Sequence, residues 1–180
     1  MEVIRTDIDG VLILEPRVFS DARGYFFESF SQREFDVKVA PLMGGPVSFV
    51  QDNESRSTYG VVRGLHFQKA PYAQSKIVRC VLGKVLDVAL DLRPGSPTYL
   101  KHVAVELSQE NHRQVFIPKG FAHGFAVLSE SAVFQYKCDV PYHPEAESGI
   151  YPLDGSLGID WGIPADKIIL SDKDRNRASL

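Results

Sequence analysis

Apolar residues occur along this chain in short runs that mostly alternate with polar ones, and glycine or proline punctuates the gaps. A side-chain period of two is the signature of a strand with one buried face. VLILEPRVF, residues 11–19, predicts a strand broken at Pro16. Asp21-Ala22-Arg23-Gly24 then supplies a turn, and Glu28 closes the aromatic run Tyr25-Phe26-Phe27. Ser31 and Glu34 stand at capping-box spacing, so a short helix is expected to start at Ser31. After the loop PLMGGP the period of two resumes in VSFVQDNES, with Val47 and Phe49 on one face and Gln51 and Asn53 continuing it. Amides taking over the positions of a core face predict a polar-lined cavity.

Residues 61–76, VVRGLHFQKAPYAQSK, interrupt an apolar strand with Arg63, His66, Gln68 and Lys76. His66 and Gln68 share one face, whereas Arg63 starts on the other. Gly64 lies between them and marks a bulge, whose extra residue would turn Arg63 toward the face that carries His66. Farther on, IVRCVLGKVLDVALDLR holds two apolar runs joined at Gly83-Lys84, the signal of a hairpin, with Asp87 inside the second run. HVAVEL, RQVFIP, GFAVL and AVFQYKC follow as short strands. Beyond Pro141 the chain is loop-rich, ending in a short strand, DKIIL, and a polar tail with Asp172, Lys173 and Asp174. Strands at this density predict an all-β sandwich or barrel such as a jelly roll.

The 180 residues suffice for one domain, residues 1–180, with a proper core. Apolar residues at 44% and charged residues at 24% exclude wholesale disorder. A net charge of −3 without a basic run argues against a nucleic-acid partner. MEVIRTDIDG lacks the pattern of an export leader, and no apolar run approaches the ~20 residues that span a bilayer, so a cytoplasmic protein away from membranes is expected. Cys80 and Cys138, without CxxC spacing, are expected to be reduced thiols.

His66 is the candidate acid or base, because imidazole titrates near neutrality. It needs an orienting carboxylate, which Asp87, Asp172 or Asp174 can supply. Tyr136, in VFQYKC, offers a hydroxyl proton. Pro118, Gly120 and His123 have the PxGxxH spacing of the second cupin motif. Metal-binding cupins carry HxH and a Glu in the first motif, whereas here it reads His66-Phe67-Gln68. An amide is a poor metal ligand, so a metal-free site without a cofactor is expected.

In order, DARGYFFESF, FVQDN, VVRGLHFQ, Lys76 ten residues after His66, PKGFAHGF, FQYK and LSDKD make the chain resemble the dTDP-4-dehydrorhamnose 3,5-epimerase family of the cupin superfamily over nearly its whole length. The resemblance implies an all-β, cupin-type jelly roll (double-stranded β-helix) with few short helices. It also implies a homodimer with a composite active site for a dTDP-linked 4-keto-6-deoxy sugar. The implied reaction inverts carbons 3 and 5 of dTDP-4-dehydro-6-deoxy-D-glucose to give dTDP-4-dehydro-L-rhamnose, in the biosynthesis of dTDP-L-rhamnose for cell-surface polysaccharide.

Carried over by position, the resemblance makes His66 the base, Asp174 its orienting carboxylate and Tyr136 the proton donor. Arg63 and Lys76 fall on contacts to the sugar and its carbonyl. Gln51, Asp52 and Asn53 of FVQDN, together with His123, Glu147 and Lys173, fall on other substrate contacts. Arg23 and Glu28 fall on nucleotide contacts that reach across from the partner subunit. Many members stack an aromatic residue on the thymine before the tyrosine of the loop after FQYK. This chain reads Asp139-Val140-Pro141-Tyr142 there, so that either Pro141 packs weakly on the base or Tyr142 takes over. The alternatives are epimerisation at carbon 3 or carbon 5 alone, ketoisomerisation of a related nucleotide sugar, or a non-catalytic cupin that only holds one.

Overall fold

Period-two runs become strands almost throughout the computed structural model, which describes residues 1–180. In chain order they are β1 (Glu2–Arg5), β2 (Leu12–Glu15), β3 (Phe19–Asp21), β4 (Gly24–Phe26), β5 (Gln51–Thr58), β6 (Val62–Gln68) and β7 (Lys76–Leu82). They continue with β8 (Lys84–Asp91), β9 (His102–Ser108), β10 (Gln114–Ile117), β11 (Phe121–Val127), β12 (Ser131–Cys138) and β13 (Glu147–Gly149). The two α-helices are α1 (Gln32–Lys38) and α2 (Asp172–Arg175). α1 is capped as expected, the Ser31 hydroxyl accepting the Glu34 amide at 3.3 Å.

Six strands form one sheet in the order β1-β2-β10-β7-β12-β5, and five form a second in the order β13-β6-β11-β8-β9. The facing sides bury Val78, Cys80 and Phe134 of the first sheet against Val85, Phe121 and Phe125 of the second. Full burial of such side chains stabilises the fold by about 1.5–3 kcal/mol each. On its outer side the second sheet is covered by Ile150, Leu157 and Trp161 from the loop-rich segment; the first is covered in part by Phe35 of α1, packed on Leu12, Leu14 and Phe116. This is the jelly roll expected from the sequence.

Three local readings need correction. Gly83 does not close a hairpin, because β7 and β8 belong to different sheets. At φ +74° it turns the corner between them, and a Cβ there would lie 2.1 Å from the Ser131 carbonyl oxygen. Residues 47–50 do not extend β5. Val47 and Phe49 pack instead on the α1 cluster, where the Gln32 side chain holds the Val47 carbonyl and the Phe49 amide. The expected strand DKIIL shrinks to a single bridge between Ile169 and Val61.

β3 and β4 pair only with each other. Their hairpin exposes Tyr25 at 60% and Phe26 at 70%, an unusual cost for two large aromatic rings.

Candidate active site

The bulge expected at Gly64 decides which side chains enter the space between the sheets. In the β6–β11 ladder His66 faces His123 and Arg63 faces Phe125, so three steps of β6 match two of β11. The extra residue puts Arg63 on the same side as His66. From there its Nε donates to Ser57 of the opposite sheet at 3.0 Å. Gly64 has φ +127°, and a Cβ on it would lie 2.6 Å from the Gly124 Cα, so no larger residue fits.

His66 lines a cavity of about 380 Å³ together with Gln51, Asn53, Lys76, Tyr136, Tyr142, Glu147 and Lys173. The alternation of β5 brings Gln51 and Asn53 inward, as read from the sequence, and the Gln51 amide donates to Asn53 Oδ1 at 2.9 Å. The same alternation sends Asp52 to the outer face, where it pairs with Lys137 at 2.8 Å. Asp52 is therefore outside the cavity. Arg23 and Glu28 are outside it too. The Arg23 side chain is 90% exposed on the β3–β4 hairpin and pairs with Asp21, while Glu28 borders a separate crevice beside α1.

Asp174 stands behind His66, its Oδ1 2.5 Å from the imidazole Nε2. Burial opposes ionisation of this carboxyl, but hydrogen bonds from His66, Ser171 and the Gly64 amide prevail and hold its pKa below the ordinary carboxylate value. An ionised carboxylate only accepts hydrogen bonds. Nε2 of His66 therefore carries the proton, and the lone pair is left on Nδ1. Of the three carboxylates open in the sequence, Asp87 serves His123 instead, with Oδ2 2.7 Å from its Nε2 and both side chains buried. Asp172 begins α2.

Lys76 forms no ion pair. Burial pushes its ammonium pKa down, against the opposing pull of the Asp87 and Glu147 carboxylates. It lies 5.7 Å from the centre of the Tyr136 ring. Burial pushes the Tyr136 hydroxyl up, so it keeps its proton at neutral pH. Cys138 also touches the cavity, but burial raises its thiol to about 11 and leaves it a poor nucleophile.

Gln68, the residue in the position of a metal ligand, spends its amide on the loops: Nε2 donates to the Tyr72 carbonyl at 2.7 Å, and Oε1 accepts the His143 amide at 2.7 Å. No group of three or more His, Cys, Asp or Glu side chains is arranged to hold a metal ion. His123 lines an adjoining cavity of about 280 Å³ that shares Gln68, Gln74 and Lys76 with the first. Gln74 escaped the sequence reading, since nothing in KAPYAQSK distinguishes it from a solvated loop amide. At the mouth, the Tyr142 hydroxyl donates a hydrogen bond to the Glu147 carboxylate, and Lys173 reaches the same carboxylate at 2.6 Å. Burial works against the charge of Glu147, yet Lys173 and Tyr142 hold its pKa below the ordinary value.

A family model described as dTDP-4-dehydrorhamnose 3,5-epimerase matches residues 5–180. The chain belongs to that family. It is thereby an isomerase with the cupin-type fold. It is similar to the dTDP-4-dehydrorhamnose 3,5-epimerase of Escherichia coli (strain K12), at 55% identity over 100% of this chain and 95% of that protein. Among solved structures, it resembles the dTDP-4-dehydrorhamnose 3,5-epimerase of Elizabethkingia anophelis NUHP1, with a TM-score of 0.93 and 49% identity over 100% of this chain and 96% of that one. The dTDP-6-deoxy-D-glucose-3,5-epimerase of Legionella pneumophila Philadelphia 1, solved in complex with dTDP-4-keto-L-rhamnose, gives a TM-score of 0.92 and 48% identity over 99% of this chain and 92% of that one. No helix of the epimerase-family chain is long and apolar enough to cross a membrane.

Proposed function

We propose that this chain inverts carbons 3 and 5 of dTDP-4-dehydro-6-deoxy-D-glucose to give dTDP-4-dehydro-L-rhamnose, on the way to dTDP-L-rhamnose for cell-surface polysaccharide. The observation that carries the reading is the contact between His66 and Asp174 in the wall of a cavity that also holds Lys76 and Tyr136. Hydrogens on carbons 3 and 5 are acidic because each flanks the carbonyl at carbon 4. Nδ1 of His66 takes the proton, and the C–H electron pair moves into the enolate. Lys76, without a carboxylate partner of its own, stabilises the oxygen on which the charge develops. Tyr136 then gives its hydroxyl proton to the carbon from the opposite face. The resulting tyrosinate and imidazolium are reset by proton exchange with solvent, and the cycle repeats at the second carbon.

Positioned acids and bases contribute about 100- to 10,000-fold each, and an isomerisation transfers no net electrons, so the reaction as proposed takes no metal and no redox cofactor. Arg63, Gln51, Asn53, His123, Glu147 and Lys173 surround the sugar and its diphosphate. Tyr142 offers the thymine an aromatic surface at the mouth, where Pro141 offers little. Arg23 and Glu28 complete the site of a second protomer in a two-fold dimer; the exposed rings of the β3–β4 hairpin, standing away from their own cavity, support this. The two free cysteines fit a reducing, cytoplasmic setting.

The test is to incubate the protein with dTDP-4-keto-6-deoxyglucose in deuterated water and follow carbons 3 and 5 by NMR. Deuterium and inversion at both carbons is the expected result. Inversion at one carbon alone would make it a single-position epimerase, movement of the carbonyl a ketoisomerase, and no exchange a binding protein.

A further inference from the structure

Asp174 reaches His66 from a one-turn helix, too short to hold itself in place, so something else must fix it. The residues on either side of it supply the answer. Lys173 and Arg177 both turn back to one carboxylate, that of Glu147, at 2.6 Å and 3.0 Å. Glu147 sits on β13, which is hydrogen-bonded along β6 so that Gly149 lies directly across from His66. That glycine is required. A Cβ there would lie 2.6 Å from the Leu65 carbonyl oxygen and 2.9 Å from Arg177 Nε. The Glu147 side chain is only 14% exposed, and its Oε2 also accepts from the Tyr142 hydroxyl. One nearly buried carboxylate thus gathers two cations from the segment that carries Asp174 and ties them to the strand beside the base.

We propose that Glu147 is a positioning residue for the base: through Lys173 and Arg177 it clamps the segment from Ser171 to Arg177 onto β13, and so holds Asp174 against His66. The proposal rests on the reading of His66 as the base. It differs from a substrate contact at Glu147, since the clamp acts in the empty protein. Loss of the clamp lets α2 lift, and His66 then loses the partner that fixes its tautomer.

The experiment uses the two histidines against each other. In the ligand-free protein, the Nε2 protons of His66 and His123 each bond a carboxylate and should give separate low-field proton resonances, assigned through His66→Gln and His123→Gln. In Glu147→Gln the His66 resonance should be lost or shifted, while the His123 resonance stays and certifies the fold. Arg177→Gln, which keeps the Glu147 charge, should act in the same direction. With substrate, Glu147→Gln should lower kcat by about 10- to 100-fold, the range seen when groups that orient metal ligands are removed. On an Asp174→Asn background it should cost nothing further. An unmoved His66 resonance in both variants, or a raised KM with kcat intact, overturns the clamp. If the parent turns over no substrate, the proposed reaction fails while the resonances still decide the clamp.

Discussion

His66 and His123 stand directly across the β6–β11 ladder from each other, and each ties its Nε2 to a different carboxylate, Asp174 at 2.5 Å and Asp87 at 2.7 Å. Directly opposed residues share a face with their Cβ atoms about 5 Å apart. Each ring is held by a carboxylate from outside the pair. One dyad opens to the cavity, where the His66 side chain is 34% exposed, and the other is more buried beside the adjoining cavity, with the His123 side chain at 8%.

Asp174→Asn should leave the fold intact and lower kcat by about 100- to 10,000-fold, because an amide fixes neither the tautomer nor the charge of the imidazole. KM should change little. Steady-state kinetics check this, and an unchanged kcat would remove Asp174 from the mechanism.

The alkaline limb of the pH profile should belong to Lys76. Burial lowers the pKa of its ammonium from the ordinary lysine value, whereas burial moves the Tyr136 hydroxyl the other way, above its own. Deuterium wash-in measured against pH should fall below the ordinary lysine range, about 10.4. Tyr136→Phe should leave the position of that limb unchanged. Its disappearance in Tyr136→Phe would assign it to the tyrosine instead.

Gly64→Ala should destabilise the fold by about 1–3 kcal/mol, the cost of overpacking, and reduce activity more than stability explains. The added methyl meets the Gly124 backbone, and relief of that clash shifts Arg63 and His66 together. Denaturant unfolding and kcat are the paired measurements.

Asp91 is fully buried and accepts from Arg93, Ser96 and Thr98, bonds that outweigh burial and hold its pKa far below the ordinary 3.8. A depressed carboxylate stabilises the fold above its unfolded pKa and loses that contribution as pH falls toward its folded one. Asp91→Ala should therefore cost about 3 kcal/mol at neutral pH, with the gap to the parent in Tm narrowing below about pH 4.

Mixing inactive Arg23→Ala and His66→Ala proteins, after subunit exchange, should restore part of the activity if the site is shared between protomers. With exchange demonstrated, a mixture that stays inactive would place the whole site in one chain.

Much of this was legible in local chemistry. Ser31 and Glu34 announced α1, Gly64 announced the bulge, and alternation through Gln51 and Asn53 announced the cavity wall. Gly83 misled because a glycine with positive φ serves a sheet-to-sheet corner as well as a hairpin, and only the pairing partners of β7 and β8 distinguish the two. Asp52 sat in a motif beside two cavity residues, yet strand geometry turned it outward. The choice of Asp174 over Asp87 spans 108 residues of sequence separation, and spacing carries no information at that range. The family pattern supplied it.

Two groups work from two faces in this reaction, and exchange measured apart from inversion isolates them. In deuterated water with dTDP-4-keto-6-deoxyglucose, the parent should take up deuterium and invert at carbons 3 and 5. Tyr136→Phe should take up deuterium without inverting, since His66, after exchange with solvent, returns a deuteron to the face the proton left. His66→Ala should do neither at either carbon, and exchange by His66→Ala at a near-parental rate would contradict the assignment of the base.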